Sequence, residues 1–370
     1  MDLRKTPFYQ KHLEHNAKIV DFSGWALPVE YASMLKEAKA ARLTCGLFDA
    51  SHMGEIRISG PKALDFLQRL TPNDVSRLAV GQMQYNLFTN QSGGVIDDLM
   101  ICRLPDSFYC VVNASNKDKV FAWLLKNQQA GARIVDESDN TALLSLQGPN
   151  SARIIEEVFG QSVRDFKYMH VRSQILDKRP VIISRSGYTG EDGFELYFSE
   201  RDGGFWWDKI LSCGRQRGLQ LCGLGSRDIL RIEAGYPLYG HELSDEISPF
   251  EANLNWVVNG NKDFIGKAAM LEVKNNGVER LRVGFVMQDR AVPRQGYPIC
   301  SRDKMIGEIT SGTYSPNLDK FVGMAYVDVS FSQPGSQLSV QVRDRFYNAR
   351  VERFPFVPIR TLREKSLKTA

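Results

Sequence analysis

Apolar and polar residues follow two periods along the chain before about Arg280. In residues 47–59, Ile56 and Ile58 fall on one side of a strand and Glu55 and Arg57 on the other. Residues 62–70 instead repeat apolar residues at helical spacing. The same patterns predict strands at 84–90, 95–103, 108–113, 141–147, 181–186 and 194–198, and helices at 34–43, 117–129, 150–159, 205–213 and 227–234. This succession favours α+β units with antiparallel sheets.

Both ends of the chain depart from this pattern. Ser23, Gly24 and Trp25, followed by Pro28, predict a loop near the N-terminus. After Arg280, Pro and Gly separate short apolar runs at 281–287, 305–312, 321–327, 339–342 and 348–354. These runs predict a small all-β barrel or sandwich. Beyond Pro358 the chain is basic, and we expect part of it to be disordered.

Composition limits the class of protein. The chain has 370 residues, of which 43% are hydrophobic and 24% are charged. This favours two or three globular domains and excludes a disordered chain, a collagen and a small disulfide scaffold. The net charge of +4 is too weak over this length to indicate nucleic acid. No apolar run approaches the ~18 residues of a membrane span. The first thirty residues are rich in charged side chains, so we expect no targeting signal among them.

The cysteines and histidines indicate neither a disulfide framework nor a metal site. The six cysteines lie far apart, so we expect free thiols in a reducing compartment and a soluble, intracellular protein. Phosphate-loop, zinc-protease and serine-hydrolase motifs are absent. His12 and His15 share a helical face, but no further ligand lies near them in the sequence. We expect them at the surface and predict no metal site.

Three local clusters are unusual, and the first is an acid pair. Residues 93–100 read GGVIDDLM, so Asp97 and Asp98 are adjacent on a predicted strand. Their side chains then point to opposite faces, one toward solvent or a helix end and the other toward whatever the sheet covers. A carboxylate aimed into a pocket holds a cation or a protonated amine. A solvated acid pair beside a turn remains the alternative.

The second cluster is SGYTGEDGFE at 186–195. Three glycines at three-residue spacing predict a tight loop with close backbone approach. Glu195 follows it, and a carboxylate there accepts paired N–H donors from a planar heterocycle such as a pterin. A hairpin loop with incidental acids is the alternative.

The third cluster is GLGSRD at 223–228, which opens a predicted helix. Arg227 falls in its first turn, where backbone N–H groups already favour anions. An arginine there suits a ligand carboxylate. The alternative is a surface pair, Arg227 with Asp228 or Arg231 with Glu233, of little energetic value.

Together these clusters resemble the aminomethyltransferase family, the T-proteins of the glycine cleavage system. The matching stretches occur in order from Thr6 to Phe356. They include GW at 24–25, GLFD at 46–49, SHMGE at 51–55, GGVIDDL at 93–99, QGP at 147–149, YTGEDGFE at 188–195, RD at 227–228, LYG at 238–240, DFIGK at 263–267 and TSG at 310–312.

The resemblance implies a three-domain cloverleaf around a central channel that holds tetrahydrofolate. Residues 1–50 with 138–275 would form the first α+β lobe, residues 51–137 a second, ferredoxin-like lobe, and residues 276–370 a C-terminal β-barrel or jelly-roll-like domain. The resemblance also implies the activity: the enzyme takes the aminomethyl group from the lipoyl arm of H-protein, releases ammonia and forms 5,10-methylenetetrahydrofolate.

Site residues follow from the same resemblance. Asp98 matches the catalytic aspartate, Glu195 the pterin-binding carboxylate and Arg227 an arginine at the folate tail. The lower-ranked pocket positions are Met53, Tyr85, Asn113, Tyr168 and Tyr188. Three places depart from the family pattern: Ala50 replaces a common valine, Ser226 replaces an alanine, and Arg360-Thr361 lacks an expected aromatic.

The implied partners are lipoylated H-protein and tetrahydrofolate, with no nucleic acid and no membrane. The implied location is the cytoplasm, or the mitochondrial matrix for a mature chain. The alternatives are another folate-dependent one-carbon transferase or demethylase, and a folate-binding protein without turnover. Asp98 disfavours the last, because binding alone does not need that acid. The iron–sulfur maturation protein of this fold carries a K-G-C-Y segment that this chain lacks.

Overall fold

A computed structural model of the chain describes residues 2–302 and 304–361. Over these residues the strands are β1 (Arg4–Lys5), β2 (Lys18–Phe22), β3 (Trp25–Glu30), β4 (Cys45–Asp49), β5 (Gly54–Ser59), β6 (Met83–Thr89), β7 (Val95–Arg103), β8 (Ser107–Val112), β9 (Arg133–Asp136), β10 (Thr141–Gln147), β11 (Val171–Leu176), β12 (Arg179–Ser184), β13 (Gly193–Ser199), β14 (Leu219–Cys222), β15 (Arg280–Met287), β16 (Pro298–Ser301), β17 (Lys304–Ser315), β18 (Lys320–Asp328), β19 (Gln337–Val342) and β20 (Arg345–Glu352). The α-helices are α1 (Tyr9–Glu14), α2 (Met34–Leu43), α3 (Ala63–Leu70), α4 (Lys117–Lys126), α5 (Ser151–Phe159), α6 (Gly203–Gly214), α7 (Leu224–Ala234) and α8 (Lys267–Asn276).

The first lobe is built on a six-stranded sheet in the order β11-β12-β13-β10-β4-β14. Its strands are antiparallel except for β14, which runs parallel to β4. Helices α5 and α6 cover one face through Ile154, Trp206 and Trp207, all of which are buried. Helices α2 and α7 cover part of the other face, packing on Phe48 and Cys222. The rest of that face is left for the second lobe.

The N-terminal segment corrects two sequence predictions. Trp25 and Pro28 belong to strand β3 rather than to a loop, and Ser23-Gly24 forms the turn between β2 and β3 with positive φ at both residues. Pro28 is tolerated because the β2–β3 register shifts there and β1 pairs only the start of β3. His15 is exposed as expected, but His12 is fully buried, because its Nε2 contacts the Asp49 carboxylate at 2.9 Å.

The second lobe carries a five-stranded antiparallel sheet in the order β6-β7-β8-β5-β9. Strands β7, β8, β5 and β9 have the strand order of a ferredoxin-like unit, and β6 adds an edge. Ile56 and Ile58 face α3 and α4, as the alternation predicted. The opposite face packs on the first-lobe sheet, where the Tyr109 and Tyr197 rings meet edge to face at 5.7 Å.

The C-terminal part is a closed barrel of β15-β18-β17-β16-β19-β20, which begins at Arg280. Its interior is apolar, with Phe285, Ile309 and Val340 fully buried. The predicted α+β class with two antiparallel lobes and a β-barrel is confirmed, and the barrel is the correct choice over a sandwich. The predicted disorder of the basic tail lies largely outside the described residues, since they end at Thr361.

One buried ion cluster, which we term the Arg42 joint, ties the first lobe to the barrel. Arg42 of α2 is 1% exposed and contacts Glu191 at 3.0 Å and Glu233 of α7 at 2.9 Å. Ser315 and Asn317 of the barrel donate to the Glu233 carboxylate at 2.5 and 2.9 Å. The paired charges hold α7, and therefore the residues at its start, in a defined position.

No helix in residues 2–302 and 304–361 is long and apolar enough to cross a membrane. All six cysteines are free, and five of them are buried.

Candidate active site

The adjacent acids lie on β7, where successive side chains point to opposite faces. Asp97 shares with Leu99 the face that packs on α3 and α4, and Asp98 shares with Met100 the face that meets the first lobe. This is the division that the alternation predicted. The carboxylate of Asp98 is therefore directed at the junction between the two lobes.

Asn113, directly after β8, contacts both carboxylates. Its side-chain amide donates to Asp97 Oδ1 at 2.9 Å and to Asp98 Oδ1 at 2.7 Å, and its backbone N–H donates to Asp97 Oδ2 at 3.0 Å. Asn116 adds a third donor to Asp97 at 2.7 Å, and the Tyr85 hydroxyl donates to Asp98 Oδ2 at 3.0 Å. Asp97 is fully buried and Asp98 is partly exposed. Of the two acids, Asp98 is the one that a ligand can reach.

Burial raises the pKa of both carboxyls above the ordinary range of aspartate, and the charge of Asp98 raises the pKa of Asp97 further. Hydrogen bonds from Tyr85 and Asn113 lower the pKa of Asp98, because they stabilise its ionised form. The two acids titrate as a pair. A carboxyl with a raised pKa exchanges a proton closer to neutral pH than an ordinary aspartate does.

The glycine-rich loop between β12 and β13 folds around the side chain of Gln147. A Cβ at Gly187 or Gly193 would lie 1.9 or 2.3 Å from atoms of Gln147, so neither position has room for a larger residue. Gln147 Nε2 donates to the Ser186 carbonyl at 3.0 Å, and the Thr189 hydroxyl donates to Gln147 Oε1 at 2.8 Å. The loop is tight because the backbone approaches this amide closely, as the glycine spacing predicted.

Glu195 follows this loop on β13 and is 9% exposed. The Ser186 hydroxyl donates to Glu195 Oε2 at 2.7 Å, and the Tyr197 hydroxyl donates to the same oxygen at 3.2 Å. Tyr197 and Met53 both belong to the apolar contact between the lobes. Glu195 therefore lies on the first-lobe wall of the junction that Asp98 faces from the second lobe.

Arg227 lies in the first turn of α7, as predicted. Its guanidinium lies over the Tyr188 ring, 5.2 Å from the centroid, and the Tyr188 hydroxyl donates to the Pro237 carbonyl. Among the described residues, no atom accepts a hydrogen bond from the buried Nη1 of Arg227. The site therefore contains a cationic donor without a protein acceptor.

The surface-pair alternative for this helix is wrong. Arg231 is 1% exposed and contacts Asp228 at 2.8 Å and Glu242 at 2.7 Å, while Glu233 belongs to the Arg42 joint. Arg231 also donates to Ser311 of the barrel at 2.7 Å. These arginine pairs hold α7 against the barrel.

Sequence reasoning did not select His52 or Trp256. His52 is 4% exposed and meets Phe22 edge to face at 5.5 Å, and across the described residues its Nδ1 has no partner. Burial and the charge of Arg227 lower the pKa of His52 to about 4, so its imidazole is neutral at physiological pH. Trp256 stacks on Tyr85. His52 had a signal, the SHMGE motif, whereas Trp256 lies in a segment without periodicity.

The structure brings most of the predicted site residues together in contacting groups. They are the hydrogen-bonded set Tyr85, Asp98 and Asn113, the ring and guanidinium of Tyr188 and Arg227, and the residues Met53 and Glu195 near Tyr197. Tyr168 precedes Met169, whose carbonyl accepts the Met83 N–H at 2.9 Å at the start of β6. Within the described part of the chain, no group of three or more His, Cys, Asp or Glu could hold a metal ion.

Comparison with known proteins decides the family. Residues 8–262 match the GCVT N-terminal domain, and residues 280–358 match the glycine cleavage T-protein C-terminal barrel domain. The chain belongs to the glycine cleavage T-protein family. Its second matched segment coincides with the closed barrel described above.

Individual relatives agree with this assignment over nearly the whole chain. An aminomethyltransferase of Halothermothrix orenii is 43% identical over 357 residues, covering 96% of this chain and 100% of the relative. An aminomethyltransferase of Bacillus cereus is 42% identical, covering 96% and 98%. The crystal structure of glycine cleavage system aminomethyltransferase T from Bartonella henselae superposes with a TM-score of 0.91 at 35% identity, covering 97% of this chain and 99% of that one.

The predicted enzyme class, a transferase of the glycine cleavage system, is confirmed. Aminomethyltransferases of this system use tetrahydrofolate as co-substrate, which agrees with the predicted co-substrate. The alternatives of a demethylase and of a folate-binding protein without turnover are not favoured.

Proposed function

We propose that the junction between the lobes is where this aminomethyltransferase acts, with Asp98 as its catalytic residue. Its substrates are the aminomethyl group on lipoylated H-protein and tetrahydrofolate, and its products are ammonia, 5,10-methylenetetrahydrofolate and dihydrolipoyl H-protein. The main support for the proposal is the exposure and the hydrogen bonding of Asp98. It is a partly exposed carboxylate that Tyr85 and Asn113 hold at both oxygens.

The unpartnered polar atoms of the site fit tetrahydrofolate. Arg227 Nη1 is a buried cationic donor that a ligand carboxylate would satisfy, and His52 Nδ1 is a buried ring nitrogen without a partner on a neutral imidazole. Glu195 is a carboxylate that suits the paired N–H donors of a pterin. When bound, tetrahydrofolate supplies the nitrogen nucleophiles that accept the one-carbon unit.

In this proposal the protein contributes a stabilising negative charge, that of Asp98, and a fixed orientation of this carboxylate. Transfer of an aminomethyl carbon builds positive charge at that carbon, and a fixed carboxylate stabilises it. Tyr85 and Asn113 orient the Asp98 carboxylate before the substrates arrive, so little reorganisation is needed. The raised pKa of Asp98 also lets this carboxyl exchange a proton with the substrate amine. Asp97 holds the Asn113 amide in place from the buried face.

The remaining predicted residues complete the binding surface in this proposal. Met53, Tyr168 and Tyr188 contribute apolar and aromatic walls to the co-substrate pocket, and Glu195 and Arg227 contact opposite ends of the co-substrate. In the proposal the co-substrate lies centrally between three lobes. The first lobe comprises residues 1–50 and 138–275, the second residues 51–137 and the third residues 276–370.

Lipoylated H-protein is the proposed partner, and the cytoplasm is the proposed location. Family membership supports the partner, because the aminomethyl group must arrive on a carrier. The bacterial sources of the relatives and the free state of the six cysteines support a reducing cytoplasm.

The experiment is ammonia release from aminomethylated H-protein, measured with and without tetrahydrofolate. We expect release to require the lipoylated carrier and to increase strongly with tetrahydrofolate, with 5,10-methylenetetrahydrofolate formed in equal amount. H-protein without the lipoyl group is the control and should yield none. Ammonia release that tetrahydrofolate does not stimulate would contradict the proposal.

A further inference from the structure

Trp256 is a large apolar side chain that the fold leaves 64% exposed. It lies in the 3₁₀ turn Asn255–Val257, in the segment that leads from α7 toward the barrel. One face of its indole stacks on the ring of Tyr85, with centroids 5.7 Å apart and planes inclined by 29°. The exposed indole thus covers the aromatic ring whose hydroxyl binds the proposed catalytic acid.

The position of this indole is held by its neighbours on both sides. Leu254 and Val257 are buried against Leu87 of β6, and the Val257 N–H donates to the Leu254 carbonyl at 2.9 Å. A few residues further on, the Asn259 N–H donates to the Pro72 carbonyl at 2.9 Å. These contacts fix the backbone of the turn on the second lobe, so the position from which the Trp256 side chain extends is defined.

We propose that Trp256 is a positioning residue for the aminomethyl transfer. It acts through Tyr85, by holding the phenol ring at the angle from which its hydroxyl donates to Asp98 Oδ2. This inference rests on the proposed role of Asp98. A tyrosine ring turns about two side-chain bonds, so the stacked indole restrains the ring in addition to the apolar cluster around Leu87 and Leu243, and helps to keep the hydroxyl directed at one oxygen.

Loss of the indole should change the chemistry in a specific way. The Tyr85 hydrogen bond favours the ionised form of Asp98, so a loosened Tyr85 weakens that support and Asp98 then protonates at higher pH. The titratable groups whose charges act on Asp98 or on Tyr85 include Asp97 on the same strand, Tyr188 on the glycine-rich loop, Glu242 after α7 and Arg282 on β15. The contact of Trp256 with this group of residues is the stacking on Tyr85.

The test compares Trp256→Ala, Trp256→Phe, Tyr85→Phe and the double variant Tyr85→Phe with Trp256→Ala. Each is assayed with aminomethylated H-protein and tetrahydrofolate for kcat, KM and the pH profile. Phe346→Ala is the matched control, because Phe346 is a 58% exposed aromatic on the barrel strand β20. Thermal unfolding of every variant checks that the fold is retained.

We expect Trp256→Ala to lower kcat about tenfold, to move the acid limb of the profile to higher pH and to leave KM for tetrahydrofolate within about twofold. Trp256→Phe should restore most of kcat, since a phenyl ring also stacks on Tyr85. The double variant should be no worse than Tyr85→Phe, because the tryptophan acts through that tyrosine.

Three results would overturn the inference: unchanged kcat and pH profile in Trp256→Ala, an effect confined to KM, or losses that multiply in the double variant. The variant Asp98→Asn distinguishes an error in the role of Trp256 from an error in the proposed function. If Asp98→Asn is inactive while Trp256→Ala behaves as the wild type, only the role of Trp256 is wrong. If Asp98→Asn keeps full activity, the catalytic assignment itself is wrong.

Discussion

Two buried charged regions of this molecule differ in how completely their groups are paired. In the Arg42 joint, the guanidinium contacts two carboxylates, and barrel side chains occupy the remaining oxygens of Glu233. At the lobe junction, two like charges are adjacent on one strand, and both Arg227 Nη1 and His52 Nδ1 lack partners among the residues described. The first region is complete without a ligand, and the second is not.

This difference separates structural from functional charge. Burying an unpaired charge costs several kcal/mol, so unpaired buried charges occur mainly where the group has a functional role. The lobe junction combines raised carboxyl pKa values with unpartnered donors and acceptors, so it is the region expected to bind and react. Four predictions test the comparison, beginning with the largest expected effect.

Asp98→Asn should reduce turnover by about 10²–10⁴-fold and leave tetrahydrofolate affinity nearly unchanged, because the amide keeps the size of the carboxylate but lacks its charge. Steady-state ammonia release and equilibrium folate binding measure the two quantities. Asp97→Asn is the matched control and should lose less activity, since Asp97 is buried and binds the amides of Asn113 and Asn116. A larger loss in Asp97→Asn would reverse the assignment of the two acids.

Arg42→Met should destabilise the fold by about 3–5 kcal/mol, because Glu233 would remain buried without a cation and Glu191 would keep only the half-exposed Arg360 at 3.6 Å. For a chain of 370 residues, we expect the thermal unfolding midpoint to fall by about 4–6 °C. Arg217→Met removes an exposed pair with Glu157 and should cost at most about 1 kcal/mol. Equal effects of the two substitutions would show that the joint is not the structural element described here.

Arg227→Gln should weaken tetrahydrofolate binding by about 10–100-fold, the value of one charge-assisted hydrogen bond. We expect kcat at saturating co-substrate to stay within about threefold, since in the proposed function Arg227 contacts the end of the co-substrate rather than the reacting carbon. Arg172→Gln, at an exposed arginine, is the control. Unchanged affinity in Arg227→Gln would mean that its unpartnered Nη1 does not meet the co-substrate.

The smallest effect is on stability as a function of pH. The folded-state pKa of Asp98 is raised, so its contribution to stability is present below the unfolded pKa and is lost as pH rises through the folded value. The free energy of unfolding of Asp98→Asn, taken relative to that of the wild type, should therefore increase by about 1–2 kcal/mol from pH 5 to pH 8. Thermal unfolding at both pH values measures this, with the exposed Asp118→Asn as control. A gain that is larger at pH 5 would contradict the raised pKa.

The sequence predicted the elements well wherever local pattern controls them. Helix α2 was predicted at its observed bounds, and the change to an all-β region at Arg280 matches the first barrel strand. The prediction was wrong at Pro28, where a register shift lets proline remain in a strand, and at His12, where a distant carboxylate stabilises a buried imidazole. Both errors involve partners that local sequence does not reveal.

The candidate site was predicted in part. Asp98, Glu195 and Arg227 stood out through adjacent acids, a glycine-rich loop and a helix start, and the resemblance supplied Tyr85 and Asn113. Trp256 gave no signal, because its importance lies in the ring it covers rather than in its own neighbours along the chain. No motif indicated that the Asn113 amide would contact both acids.

The sequence by itself determined which residue types stand at each strand face and helix start, because the two-residue period of a strand and the 3.6-residue period of a helix are local properties. It also determined the family, since matching motifs in order span nearly the whole chain. Only the tertiary structure decided that the Asp98 face of one sheet meets the Glu195 face of another, and that Arg227 and His52 lack partners near that junction. Which faces meet depends on packing between segments far apart in the chain, and a carboxylate acquires its unusual pKa only when that packing removes water around it.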